Sequence, residues 1–144
     1  MTGQLTGPQL FLRYAFPCAE EKLRSGRINQ NTLDELGRIV KGDGLPNNFS
    51  LGYCFPNATK SLARFAEEKR KEMWAFETVA EYWRYHHDHE GDCAVKIFTV
   101  VGVRDNMVAT GLAKPFINLY KLQLEIVDTI SVHRGVVIER IDLF

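Results

Sequence analysis

The chain has 144 residues, 18 Lys and Arg balanced by 18 Asp and Glu, and 45% hydrophobic residues. That length suits one domain spanning 1–144, and a hydrophobic fraction near half excludes disorder as a description of the whole. Neutrality argues against nucleic acid or a membrane surface as partner, and no apolar run approaches the roughly 20 residues of a membrane helix.

The first half reads as helical. Thr6 can cap a helix with Pro8 in its first turn, and Leu10, Tyr14 and Cys18 recur at helical spacing toward Gly26. Pro17 falls inside that pattern, which predicts a kink or two short helices around Phe16-Pro17. Thr32 and Glu35 have capping-box spacing, so a second helix is expected from Thr32, with Leu33, Leu36, Ile39 and Val40 as its apolar face. Residues 42–56 hold three Gly, two Pro and two Asn and read as a long loop, packed down by Phe49, Tyr53 and Phe55. Residues 58–88 predict one long helix of roughly 45 Å. Leu62, Phe65, Ala66, Met73, Phe76, Ala80, Trp83 and His87 fall on one stripe of it. Trp74, Tyr82 and Tyr85 lie off that stripe, which suggests a second covered face.

From Cys93 the period changes to two. Val95 to Val103 reads as a mostly buried strand, and Arg104-Asp105-Asn106 as a hairpin turn into Met107–Leu112. Leu122, Leu124, Ile126, Ile130 and Val132 alternate with Gln123, Glu125, Thr129, Ser131 and His133. This predicts a long strand with one wet face, bent near Asp128. Arg134-Gly135 then turns the chain into Val136–Leu143. The expected fold class is α+β, with a helical part (1–90) packed on one face of a four-stranded antiparallel sheet in a strand-rich part (93–144). Tyr14 to Leu23 also aligns with Tyr53 to Leu62, sharing Tyr, Phe, Pro, Ala and Leu at an offset of 39. A duplicated helical hairpin would produce that, although two copies fall short of a repeat array.

Chemistry concentrates in His86-His87-Asp88-His89-Glu90-Gly91-Asp92-Cys93. Imidazole, carboxylate and thiolate are the ligand types of zinc and other first-row transition metals. His86 and His89 at i,i+3 could reach one ion, with Cys93 returning from the strand and Asp92 as a further ligand. The cluster contains neither CxxC nor HExxH, and histidines also stop helices or form pH-sensitive interfaces. Cys18, after Pro17, is a candidate reactive thiol, whereas Cys54 between Tyr53 and Phe55 reads as packing. Three cysteines at wide spacing make a poor disulfide framework, and the first residues show no secretory pattern, so a cytoplasmic protein is expected.

Two functions compete. One is a domain acting by binding or self-assembly, as a homo-oligomer whose dimer forms through the long helix and Trp74, Tyr82 and Tyr85. The other is a metal-dependent enzyme or metal-binding sensor built on His86, His89, Asp92 and Cys93. Charge within the predicted helix bears on both. Lys60, Arg64, Lys69, Arg70 and Lys71 outnumber Glu67, Glu68 and Glu72 early. Glu77, Glu81, Asp88, Glu90 and Asp92 face Arg84 alone later. Antiparallel self-pairing or a bound cation would each offset that order, which opposes the helix dipole. No small-molecule ligand follows from these residues.

Overall fold

Thr6 caps the first helix in the predicted way. The computed structural model describes residues 5–42, 44–87, 94–111 and 114–141, and the chain divides into two compact units, Met1–His87 and Asp88–Phe144. In α1 (Gly7–Ala15) the Thr6 hydroxyl accepts from the Gln9 N–H, and the Gln9 side chain accepts from the Thr6 N–H at 2.8 Å. This capping box satisfies two of the donors that a helix start leaves open. Phe16-Pro17 breaks the run as expected, through a 3-10 turn (Phe16–Cys18) into α2 (Ala19–Arg24).

Three helical expectations need correction. Helix α3 (Gln30–Val40) starts before Thr32, because the Asn29 side chain accepts the Thr32 N–H at 2.8 Å and is the cap. The expected loop 42–56 contains a helix, α4 (Asn48–Cys54), whose cap Asn47 accepts from Phe49 and Ser50. The long helix over 58–88 is two helices. These are α5 (Pro56–Lys69, 14 residues) and α6 (Phe76–Glu81), which widens into a π-turn over Tyr82–His86. The break has no glycine or proline to announce it. Arg70 takes the left-handed conformation (φ 57°), and the Lys71 N–H reaches back to the Ala66 carbonyl at 2.9 Å. That is a helix ending usually made by glycine. The apolar stripe passes through the break because Leu62 and Phe65 before it, and Ala80 and Trp83 after it, are all buried.

The helical unit is held by aromatic rings. Tyr14 stacks on Trp83 at 5.4 Å and 8°, and Phe11 meets Phe55, Trp74 and Trp83 edge-on. Gly7 lets α1 approach the 70–75 connection closely, since a Cβ there would overlap the Trp74 carbonyl oxygen.

The second unit is a six-stranded mixed sheet, replacing the expected four antiparallel strands. Its strands are β1 (Val95–Thr99), β2 (Gly102–Arg104), β3 (Met107–Ala109), β4 (Phe116–Ile117), β5 (Thr129–His133) and β6 (Val136–Ile141). The order is β1-β5-β6-β4-β3-β2, with β4 parallel to β6 and the other pairs antiparallel. The two end strands are consecutive in sequence, separated by Val100 and Val101. Val100 bonds toward β5 (its N–H to the Asp128 carbonyl, 2.8 Å), and Val101 bonds the other way, to the Ala109 carbonyl at 2.8 Å. Two residues cannot span a flat six-stranded sheet, so the sheet is rolled, with Val100, Val108, Ile130, Val132 and Val137 inside it.

Rolling explains why the strand burial differs from expectation. Ile97, Val101 and Val103 point outward and are exposed, while Phe98 and Val100 turn inward. Ser131 and His133, expected on a wet face, are buried, as are Ile130 and Val132, so side chains on both faces of β5 are buried. The long strand from Leu122 shortens to Thr129–His133. Upstream, the Asn118 side chain grips the Leu122 N–H and carbonyl, both at 2.9 Å, so Leu122 and Leu124 reach the core from irregular backbone. The Asp105-Asn106 and Arg134-Gly135 turns are as predicted, with positive φ at Asp105, Arg134 and Gly135.

Candidate functional site

Of the four residues expected to hold a metal, His89, Asp92 and Cys93 lie outside the described residues. His86 ends the π-turn, its ring 4.7 Å from Phe65 and its Nε2 3.8 Å from a Glu81 oxygen. Glu81 also accepts from Lys71 Nζ at 2.8 Å, and this hydrogen bond leads the influences that lower its pKa. Among the described residues no group of three or more His, Cys, Asp or Glu is placed to hold an ion. His87 packs on Trp83 at 4.1 Å, with Nδ1 3.1 Å from the Tyr82 hydroxyl.

The aromatic trio expected to form a dimer face does not share one face. Trp74 lies in the connection between α5 and α6, against Phe11. Tyr82 is buried beside Phe65 and Trp83, and only Tyr85 is exposed. Breaking the helix separates residues that an unbroken one would align.

Three other exposed apolar side chains of the helical unit gather around a groove of about 340 Å³ between α3 and α4. Buried Leu36 and Leu51 line it. Leu45 (71% exposed), Phe49 (82%) and Tyr53 (54%) stand on its rim. Phe49 and Tyr53 are i,i+4 on α4, hence neighbours on one helix face. Arg27 secures Tyr53 twice, donating from Nε to its carbonyl at 2.6 Å and placing its guanidinium 4.4 Å from the ring centre.

Among the described residues Glu35 supplies the one charged side chain of the lining. Cys54, buried, also lines the groove. Burial pushes its thiol pKa up, Arg27 pulls it down, and Glu35 pushes it up again. Cys54 is thus a packed, protonated thiol, consistent with its reading as core. Cys18 sits at the end of the 3-10 turn, half-buried.

No family model, curated protein or solved structure matches this chain. The groove's own chemistry therefore carries the functional argument. Reasoning from sequence missed Leu45, Phe49 and Tyr53 as a surface, because aromatics in a Gly/Pro-rich stretch suggested inward packing. The signal available was Asn47, an N-cap residue followed by Leu51 and Cys54, which places Phe49 and Tyr53 off the buried side.

Proposed function

We propose that the protein acts as a binding module and that the α3–α4 groove is its docking face. What supports this is the exposure of Leu45, Phe49 and Tyr53 together around one apolar groove. Single exposed apolar residues are ordinary, but several large ones around a concavity mark an interaction site. Phe49 stands too far out for a small molecule in the groove to cover it, because small-molecule sites enclose most of their ligand. A macromolecular partner covers such a ring.

The test is a random-peptide display selection on the native protein, with Phe49→Ser as counter-target. Phe49 is exposed, so this variant keeps its fold. Binders enriched on wild type and lost on Phe49→Ser support the groove. Binders retained in full by Phe49→Ser remove docking from it. Light scattering at micromolar concentration separates the self-assembly branch, in which a dimer would dissociate on Phe49→Ser.

A further inference from the structure

We infer that the groove's partner is a basic amphipathic helix: a segment whose apolar stripe fills the space between α3 and α4 and whose Lys or Arg pairs with Glu35. This rests on the docking reading above and adds the chemistry of the occupant.

Three observations carry it. The first is charge. Among the described residues Glu35 is the lone charged side chain in the lining and makes no hydrogen bond or ion pair. Arg27, which acts on Cys54 of the same lining, is engaged with the Tyr53 carbonyl and ring. A partner that covered the groove without supplying a cation would leave the Glu35 carboxylate partly desolvated and uncompensated, which is costly.

The second is backbone chemistry. The walls are helices α3 and α4 with the 45–47 segment beside them, and no described residue of the helical unit lies in a β-strand. The groove therefore offers no strand edge to an extended peptide. A segment buried in it must satisfy its own backbone, and a helix does so.

The third is symmetry. A second copy's groove would bring no cation to Glu35, because the lining holds no Lys or Arg among the described residues. The favoured occupant is accordingly a different, basic surface rather than this same face of a second copy.

The experiment runs one helical-peptide display library against wild type, Glu35→Lys and Phe49→Ser in parallel. Enriched peptides are then synthesised with Lys, Gln or Glu at the charged position. On wild type the expected binders carry apolar residues at i, i+3, i+4 and i+7 beside a Lys or Arg. The Lys peptide should bind about 3–10 times more tightly than its Gln version, within the range of exposed to partly covered ion pairs. That preference should shrink at 0.5 M salt and invert toward Glu peptides on Glu35→Lys. Glu35 is exposed, so the variant keeps the fold, checked by an unchanged thermal transition. Groove-dependent binders with no charge preference overturn the basic partner and leave docking intact. Enrichment that ignores Phe49→Ser overturns docking itself. Displacement of Nile red by phenethylamine, with no peptide enriched, overturns the helix in favour of a small aromatic amine.

Discussion

Val127 should be replaceable at a gain in stability. It has φ 74°, in the left-handed region, and is 77% exposed at the turn between Leu124 and Thr129. A branched Cβ in that region is strained, at a cost of about 1–2 kcal/mol for an L-residue. The fold imposes the conformation from both sides. The Val127 N–H donates to the Val100 carbonyl at 2.8 Å, and the Asp128 side chain closes the turn onto the Glu125 N–H at 2.8 Å. Asparagine tolerates left-handed φ and keeps the backbone N–H, so Val127→Asn relieves the strain without breaking either bond. The offsetting loss is small. Full burial of a valine is worth about 1.5–3 kcal/mol, and roughly a quarter of this one is covered, a loss of about 0.5 kcal/mol.

The net expectation for Val127→Asn is a gain of about 1 kcal/mol, and for Val127→Gly rather less, since glycine costs about 0.5–1 kcal/mol in chain entropy. Urea unfolding followed by a probe in the sheet unit measures this, with the midpoint rising and the slope unchanged. Val101→Asn is the control, because Val101 is also exposed but lacks positive φ. A neutral or destabilised Val127→Asn, or an equal gain from Val101→Asn, would refute the strain argument. Since Ile126 beside it is exposed as well, a stabilised variant is also a probe of whether this turn contacts a partner.

Other substitutions follow from single contacts. Gly7→Ala must push α1 away from the Trp74 carbonyl, so a loss of about 1–3 kcal/mol is expected in thermal unfolding of the helical unit. Asn118→Leu removes the side chain that bonds both polar groups of Leu122, and should cost about 1–3 kcal/mol, read by denaturant midpoint. Cys54 gives a pH dependence of known sign. Its native pKa is raised above the ordinary 9.0, so above that pH the unfolded chain releases a proton that the folded chain keeps. Stability should fall as pH rises from about 9 toward the native pKa, and Cys54→Ala should abolish that fall. Arg27→Ala should raise the Cys54 pKa further and Glu35→Gln should lower it, measured as the pH dependence of alkylation. Glu81 titrates below its usual value because Lys71 bonds it, and Lys71→Ala should return it to the ordinary carboxylate range in an NMR titration.

Sequence reading recovered the features with local causes. Thr6 and Gln9 cap one another within a single turn, Pro17 blocks a helix wherever it sits, and Arg134-Gly135 makes a tight turn regardless of its surroundings. What was illegible depends on distant atoms. Arg70 ends α5 in a conformation that its residue type gives no reason to expect. The Lys71–Glu81 pair helps to close the connection that follows. The rolled sheet rests on Val100 and Val101 bonding in opposite directions, to partners 27 or more and eight residues away in sequence. Alternation cannot reveal this, since Leu122 and Leu124 alternate as a strand does while Asn118 holds them in irregular backbone. The metal cluster was legible only as a composition, and three of its four proposed ligands lie outside the described residues.

The paired Tyr-x-Phe-Pro segments show how the same local signal yields different surfaces. Both place Phe-Pro at a junction between two helices, α1 with α2 and α4 with α5, and both prolines fall in a first turn. There the likeness ends. Tyr14 is fully buried because Trp83 stacks on it, while Tyr53 is half exposed because what meets its ring is Arg27, a cation that keeps its own contact with water. The backbone motif dictates the joint between helices, and the neighbour dictates whether the tyrosine becomes core or surface. Only the second segment therefore contributes to a rim, with Phe49 one turn before Tyr53 on α4. Exchanging the two environments is not possible by a single substitution, but Arg27→Ala removes the contact that fixes Tyr53 upright. If the groove docks a helix, that variant should weaken binding while leaving the Tyr14–Trp83 stack and the thermal transition of the helical unit unchanged.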